Sequence, residues 1–350
     1  MKKLCVGITG LDISDNPMSG LGIAKCLKLN KNIKVLGISY DPLSPGCYTR
    51  DIFDEIHLID NPLQNKDKLF EDIIRLKEES GLEVVIPAIP REVPVFSVLK
   101  KRLKRRRIKI VTPQMDNIID ALDQKVFSFI HTKQEHVRIP PYTLINDKRD
   151  LKGKVPFLRF PLIIKSVTEN YKAVDIGEAE VFVNSHFQLT NDPLCMQEYV
   201  NGEEYSVAAL ADENSKLSGI VIIKKLVLTD QGAPWIVVSI FNKKLVAFTE
   251  KLVKHFKWTG PIELIFIKEI ISDSYNLIKL QPCFPSWIYL TARVGQNLPL
   301  KAIKLAMGNT VRASIKYKTG YMYIRTTKDI SSDVHTFFSL NSSRRLIYNG

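Results

Sequence analysis

The sequence predicts an α/β region followed by an α+β region. Three observations carry this reading. Short apolar runs alternate with helically spaced segments over roughly the first hundred residues, a pattern of parallel βαβ units. A proline pair, Pro140 and Pro141, then interrupts the chain. Longer β-branched runs follow, and these suit an antiparallel sheet.

In the first region the strand candidates are Leu4 to Ile8, Lys34 to Ser39, Glu55 to Leu58, Val84 to Ala88 and Lys109 to Val111. Gly22 to Leu29 and Lys68 to Glu79 have helical spacing between them. The loop from Thr9 to Gly22 is rich in small residues that would let a backbone approach an anion. It lacks the G-x-G-x-x-G spacing of a dinucleotide fingerprint, so a structural turn is expected. Ile139-Pro140-Pro141-Tyr142 ends this region, because proline removes an amide donor and its predecessor disfavours helix. Beyond it, Leu162 to Lys165, Tyr205 to Ala211, Gly219 to Leu228 and Trp235 to Val238 read as antiparallel strands. Tyr317, Tyr321 and Tyr323 suggest a late strand packed on the core, in a stretch with no motif.

At 350 residues and 45% hydrophobic content the chain has material for two or three packed units. No apolar stretch approaches the roughly 20 residues of a membrane span, so no membrane role is expected. Met1 to Ile8 is too short for a signal segment and reads as a first strand. Five cysteines with no C-x-x-C pair argue against a disulfide framework and fit a reducing cytoplasm. His131 and His136 have no ligand spacing for zinc, and Cys283 reads as a buried structural thiol.

The net charge is +13, and residues 100–107 (KKRLKRRR) concentrate part of it. That run reads as a solvated helix end, where cations complement the dipole. No aromatic residues interleave it as a single-strand platform would require, so nucleic acid is not expected as a partner.

Three later segments bear on nucleotide chemistry. They are Asp123-Gln124-Lys125, then Pro161-Leu162-Ile163-Ile164-Lys165, then Gln197-Glu198-Tyr199-Val200-Asn201-Gly202-Glu203-Glu204. Two lysines suit a polyanion as point charges. A segment linking two subdomains can meet adenine through its backbone, while a carboxylate accepts ribose hydroxyls. In order and spacing these segments resemble the nucleotide half of the ATP-grasp family, in particular carbamoyl phosphate synthetase large-subunit-like and biotin carboxylase-like members. Val6-Gly7-Ile8-Thr9-Gly10, Pro282 to Trp287 and Gly295 to Pro299 extend the resemblance to about Gly308.

The resemblance implies a pre-ATP-grasp parallel α/β domain at 1–113, then a two-lobed ATP-grasp fold with a small subdomain at 114–195 and a large lobe with a C-terminal extension at 196–350. It implies that Lys125 and Lys165 meet phosphate, that Gln197, Glu198 and Val200 frame adenine, and that Glu204 takes the ribose. Lys225 is counted in the same nucleotide set.

The sequence then departs from the family. The flap after Lys165 has no glycine until Gly177. Family members place an acid two residues beyond the position of Glu263 and present E-x-N-P-R on the next strand. Here those positions read Ile265 and Lys279-Leu280-Gln281-Pro282-Cys283. Magnesium needs oxygen ligands. At an effective dielectric of about 20, an ammonium about 4 Å from a divalent ion costs on the order of 8 kcal/mol. ATP is therefore expected as a ligand and magnesium is not, with Ile265, Lys279 and Gln281 as degenerate metal positions and Lys279 able to reach phosphate in the metal's place. No catalytic residue is assigned.

ATP-grasp enzymes activate a carboxylate as an acyl phosphate for attack by an amine or similar nucleophile. The expected function is a catalytically degenerate relative of such ligases that retains nucleotide binding and acts through a partner, such as an active ATP-grasp ligase. A homo-oligomer is left open. Two alternatives stand: an active carboxylate–amine ligase whose metal site is rebuilt around Glu263, and a binding module for an anionic partner.

Overall fold

A computed structural model describes residues 3–13, 17–116, 137–166, 170–230, 232–270 and 274–348. The apolar runs of the first region become strands Leu4–Ile8, Ile33–Ser39, Glu55–Leu58, Val84–Ile86 and Lys109–Ile110. Adjacent members of this set pair in parallel. Helices Gly20–Lys28, Lys66–Ser80 and Val93–Arg105 connect them. Asn65 starts the second helix by accepting from the Asp67 and Lys68 amides, and Gly81 ends it at φ +76°.

The fourth strand stops at Ile86, short of the expected Ala88, because the Ala88 amide turns to Thr9 Oγ1 (2.8 Å) and Glu92 Oε1 (2.9 Å). Where the first helix begins, the Gly20 amide donates to the Gly10 carbonyl at 3.2 Å. A Cβ on Gly20 would lie 2.3 Å from that oxygen, so the approach requires glycine.

The basic run ends the Val93–Arg105 helix, as its charge pattern predicts, but it is not uniformly solvated. Lys100 turns inward and donates to the Thr112 carbonyl at 2.7 Å. Burial, with the charge of Lys104 added, pushes its ammonium down to about 8. Arg102 pairs with Asp67 at 2.6 Å and lies over the Phe70 ring.

The described residues form two units, one within Met1–Val126, Glu204–Ile265 and Lys279–Gly350, the other within Phe127–Glu203 and Phe266–Ile278. In the first, strands Met322–Ile324, Pro234–Ile240, Leu217–Leu228 and Gly202–Ala211 lie side by side in that order, followed by the parts of Gly260–Glu269 and Tyr275–Gln281 that belong to this unit, residues 260–265 and 279–281. The first four pair antiparallel. Helix Lys243–His255 buries Leu245, Phe248, Leu252 and Val253. One apolar core joins the parallel sheet (Val6, Ile8, Val35), the antiparallel strands (Ala208, Leu210, Val221, Ile223) and the segment Phe284, Trp287, Ile288.

The second unit has an antiparallel sheet in the order Tyr142–Ile145, Leu194–Glu198, Leu162–Lys165, Asn170–Ala173. Helix Ile176–Leu189 contributes Ala179 and Val183 to its core with Leu162, Ile164 and Met196. Among the described residues no helix is long and apolar enough to cross a membrane.

The region without motifs supplies two edge strands. Met322–Ile324 pairs with Ile236 to Val238, while Tyr321 is 44% exposed instead of packing in the core. Arg345–Ile347 extends the parallel sheet antiparallel to Glu55–Leu58. Arg345 reaches Glu55 at 3.0 Å beside Lys34, buried His57 and Ser80. Burial alone would raise the Glu55 carboxyl, but His57, Lys34, Ser80 and Arg345 together hold it well below the usual carboxylate range. A carboxylate depressed in this way contributes stability above its unfolded pKa, which is lost as pH falls toward the folded value. Arg345→Ala is expected to lower the unfolding free energy by about 1–2 kcal/mol at neutral pH, since the pair is partly exposed. It should also flatten the fall in stability between about pH 5 and pH 2, measured by urea melts at each pH.

Candidate functional site

In the second unit, Lys165 ends its strand with Cys195 opposite in register, and Gln197 lies two residues further along the neighbouring strand. The alternation of side chains puts Gln197 on the face of Cys195. Lys165 Nζ donates to Gln197 Oε1 at 2.5 Å and to the Ile278 carbonyl at 2.8 Å. These two contacts fix the position of the ammonium.

The linker after this strand is tied down by backbone bonds. The Glu198 amide donates to Pro141 O (2.8 Å) and the Tyr199 amide to Pro161 O (2.9 Å). The Glu198 carboxylate accepts from the Arg159 amide at 2.9 Å, so both polar ends of this residue serve the chain itself. The Val200 amide has no partner among the described residues. Gly202 follows because a Cβ there would lie 2.1 Å from the Lys268 carbonyl. On the flap strand Asn170–Ala173, Tyr171 stacks on Phe182 at 4.9 Å and Lys172 lies 3.9 Å over the Tyr199 ring. Lys125, His131, His136 and flap residues 167–169 lie outside the described residues.

The first unit holds the rest of the predicted set. Tyr205 opposes Lys224, which places Glu204 across from Lys225. Lys225, almost wholly buried, pairs with Glu204 Oε2 at 2.7 Å. Two residues along the same strand face, Ser206 Oγ donates to Glu263 Oε1 at 2.7 Å. Burial pushes the Glu263 carboxyl up, opposed by the Ser206 bond and by the charges of Lys225 and Lys279. Lys279 stands exposed on the strand beside that of Glu263, and Ile265 and Gln281 are half-buried.

Cys283 is buried against Val93 and Met115, and burial drives its thiol well above the ordinary range, as befits a structural cysteine. Among the described residues no group of three or more His, Cys, Asp or Glu side chains is placed to hold a metal ion. Ser206 is absent from the sequence-level set. Its signal is a hydroxyl in the otherwise apolar run Tyr205 to Ala211, two positions from Glu204.

No protein-family model and no curated protein sequence matches this chain. Solved structures do. A biotin carboxylase from Campylobacter jejuni in complex with β,γ-ATP superposes with a TM-score of 0.66 at 13% identity, over 91% of this chain and 74% of that one. N5-carboxyaminoimidazole synthetase from Staphylococcus aureus matches at 0.63 and 13% identity, over 91% and 81%. An L-amino acid ligase from Bacillus licheniformis matches at 0.62 and 10% identity, over 88% and 75%. The chain has the ATP-grasp fold. At these identities the likeness establishes the ATP-grasp architecture, and the chemistry has to be read from the side chains.

Ser206→Ala is expected to lower stability by about 1–3 kcal/mol, because it leaves the buried Glu263 oxygen without its donor. Denaturant unfolding at neutral pH measures this.

Proposed function

We propose that this chain is a nucleotide-binding protein on an ATP-grasp ligase scaffold that does not complete acyl-phosphate chemistry and acts through a protein partner. The observation that carries the reading is the placement of Lys165, whose ammonium is held at the end of its strand by Gln197 Oε1 and the Ile278 carbonyl. Such a group attracts phosphate oxygens. The Val200 amide, in the same unit, adds a backbone donor at the position that resemblance gives to adenine.

The row on the other unit supports the non-catalytic half. Magnesium takes oxygen ligands and usually a carboxylate. Here Glu263 accepts from Ser206 and feels two ammonium charges, Glu204 is bound to Lys225, and Ile265 offers no donor. This donor set does not fit the ion, and no phosphoryl step is derived through it. For a partner, the exposed helix end bearing Lys101, Lys104, Arg105, Arg106 and Arg107 makes no ion pair among these residues, which suits an acidic protein surface. An intact ligase carrying such a surface is the partner expected.

ATP is expected to raise the thermal midpoint of the chain, while ADP release over a panel of amino acids stays at background. Lys165→Ala should weaken ATP about 10- to 100-fold, the value of one charge-assisted contact, measured by calorimetric titration. Amino-acid-dependent ADP release would overturn the non-catalytic reading, and an unchanged affinity in Lys165→Ala would overturn the assignment of that lysine.

A further inference from the structure

Resting on the nucleotide-binding reading above, we propose that Lys279 takes the place of a divalent cation, with Lys225 occupying Glu204, so that the chain binds a nucleoside polyphosphate as the uncomplexed anion and not as its metal complex. Lys225, Glu204, Ser206, Glu263 and Lys279 come from four strands that lie side by side. Two contacts link them across the sheet, Lys225 to Glu204 and Ser206 to Glu263, and Lys279 stands on the strand beside that of Glu263.

The row therefore carries two ammoniums and two carboxylates. Its acids already have partners inside the protein. Lys225 is committed to Glu204, while Lys279 makes no ion pair among the described residues and faces solvent. An incoming cation would meet two like charges and a carboxylate oxygen engaged by a hydroxyl. An incoming polyphosphate would meet an exposed ammonium with three N–H donors, a point charge suited to phosphate oxygens.

Two consequences separate this arrangement from a metal site. A lysine cannot be removed by a chelator. In addition, magnesium lowers the charge of a nucleotide by two when it binds, so it should compete with the lysine for the same phosphate oxygens instead of assisting. The ion that a carboxylate site would recruit thus acts here as an antagonist.

The test is calorimetric titration of ATP into the full chain, once in EDTA and once in excess magnesium. Binding in EDTA about tenfold tighter than in magnesium is expected. Lys279→Gln should weaken binding in EDTA about tenfold, with no recovery on adding magnesium. Lys279→Glu should weaken it further, and magnesium should restore part of the loss by giving the new carboxylate a cation. Lys279 is exposed, so both variants should keep the wild-type thermal midpoint. ATP binding that requires magnesium, or an unchanged affinity in Lys279→Gln, would overturn this inference and leave the nucleotide reading standing. Absence of ATP binding under both conditions would overturn both.

Discussion

The first unit depends on one strand face that changes character along its length. On Gly202–Ala211 the even-numbered residues Ala208 and Leu210 enter the shared core, while Glu204 and Ser206 on that same face meet a lysine and a glutamate. The neighbouring strand does the same, with Val221 and Ile223 in the core and Lys225 beyond them. Strand alternation forces this continuity, since side chains two apart must share a face. The polar row is held in place by the packing that also builds the core. A buried charge at the margin of such a core needs a partner, and Lys225 with Glu204 and Glu263 with Ser206 meet that need internally.

Much of the architecture was legible in the residues. The parallel strands follow from short β-branched runs buried on both faces, and the antiparallel ones from longer runs past Pro140 and Pro141. Lys165 and Gln197 were singled out as ordered motif positions, and the pairing of their strands brings them together. The row of Glu204, Lys225, Glu263 and Lys279 was legible as residues but not as a charge arrangement, because the compensation of each acid depends on cross-strand register. Ser206 escaped notice for the same reason. A serine among apolar residues gains meaning only when the strand carrying Glu263 is beside it.

The edge strands were not legible. Met322–Ile324 and Arg345–Ile347 are three residues long, too short to show a period of two, and each is defined by the strand it joins. The inward turn of Lys100 was hidden by its neighbours. A run of like charges has no internal signal for which member finds a carbonyl, and the Thr112 acceptor lies twelve residues away, beyond the helix end.

Arg345–Ile347 closing against Glu55–Leu58 also bears on how the molecule forms. The Arg345–Glu55 pair, and the bond from the amide of Tyr348, the residue after this strand, to the Asp54 carbonyl, join positions about 290 residues apart. Loop-closure entropy must be met before such contacts stabilise anything, and topologies rich in them form slowly. During synthesis the outer edge of the parallel sheet, Glu55–Leu58, stays open until residues 345–347 have been made. Throughout that interval it presents unpaired backbone groups to other chains. Arg345–Ile347 thus covers the edge of Glu55–Leu58 and leaves in its place an edge only three residues long.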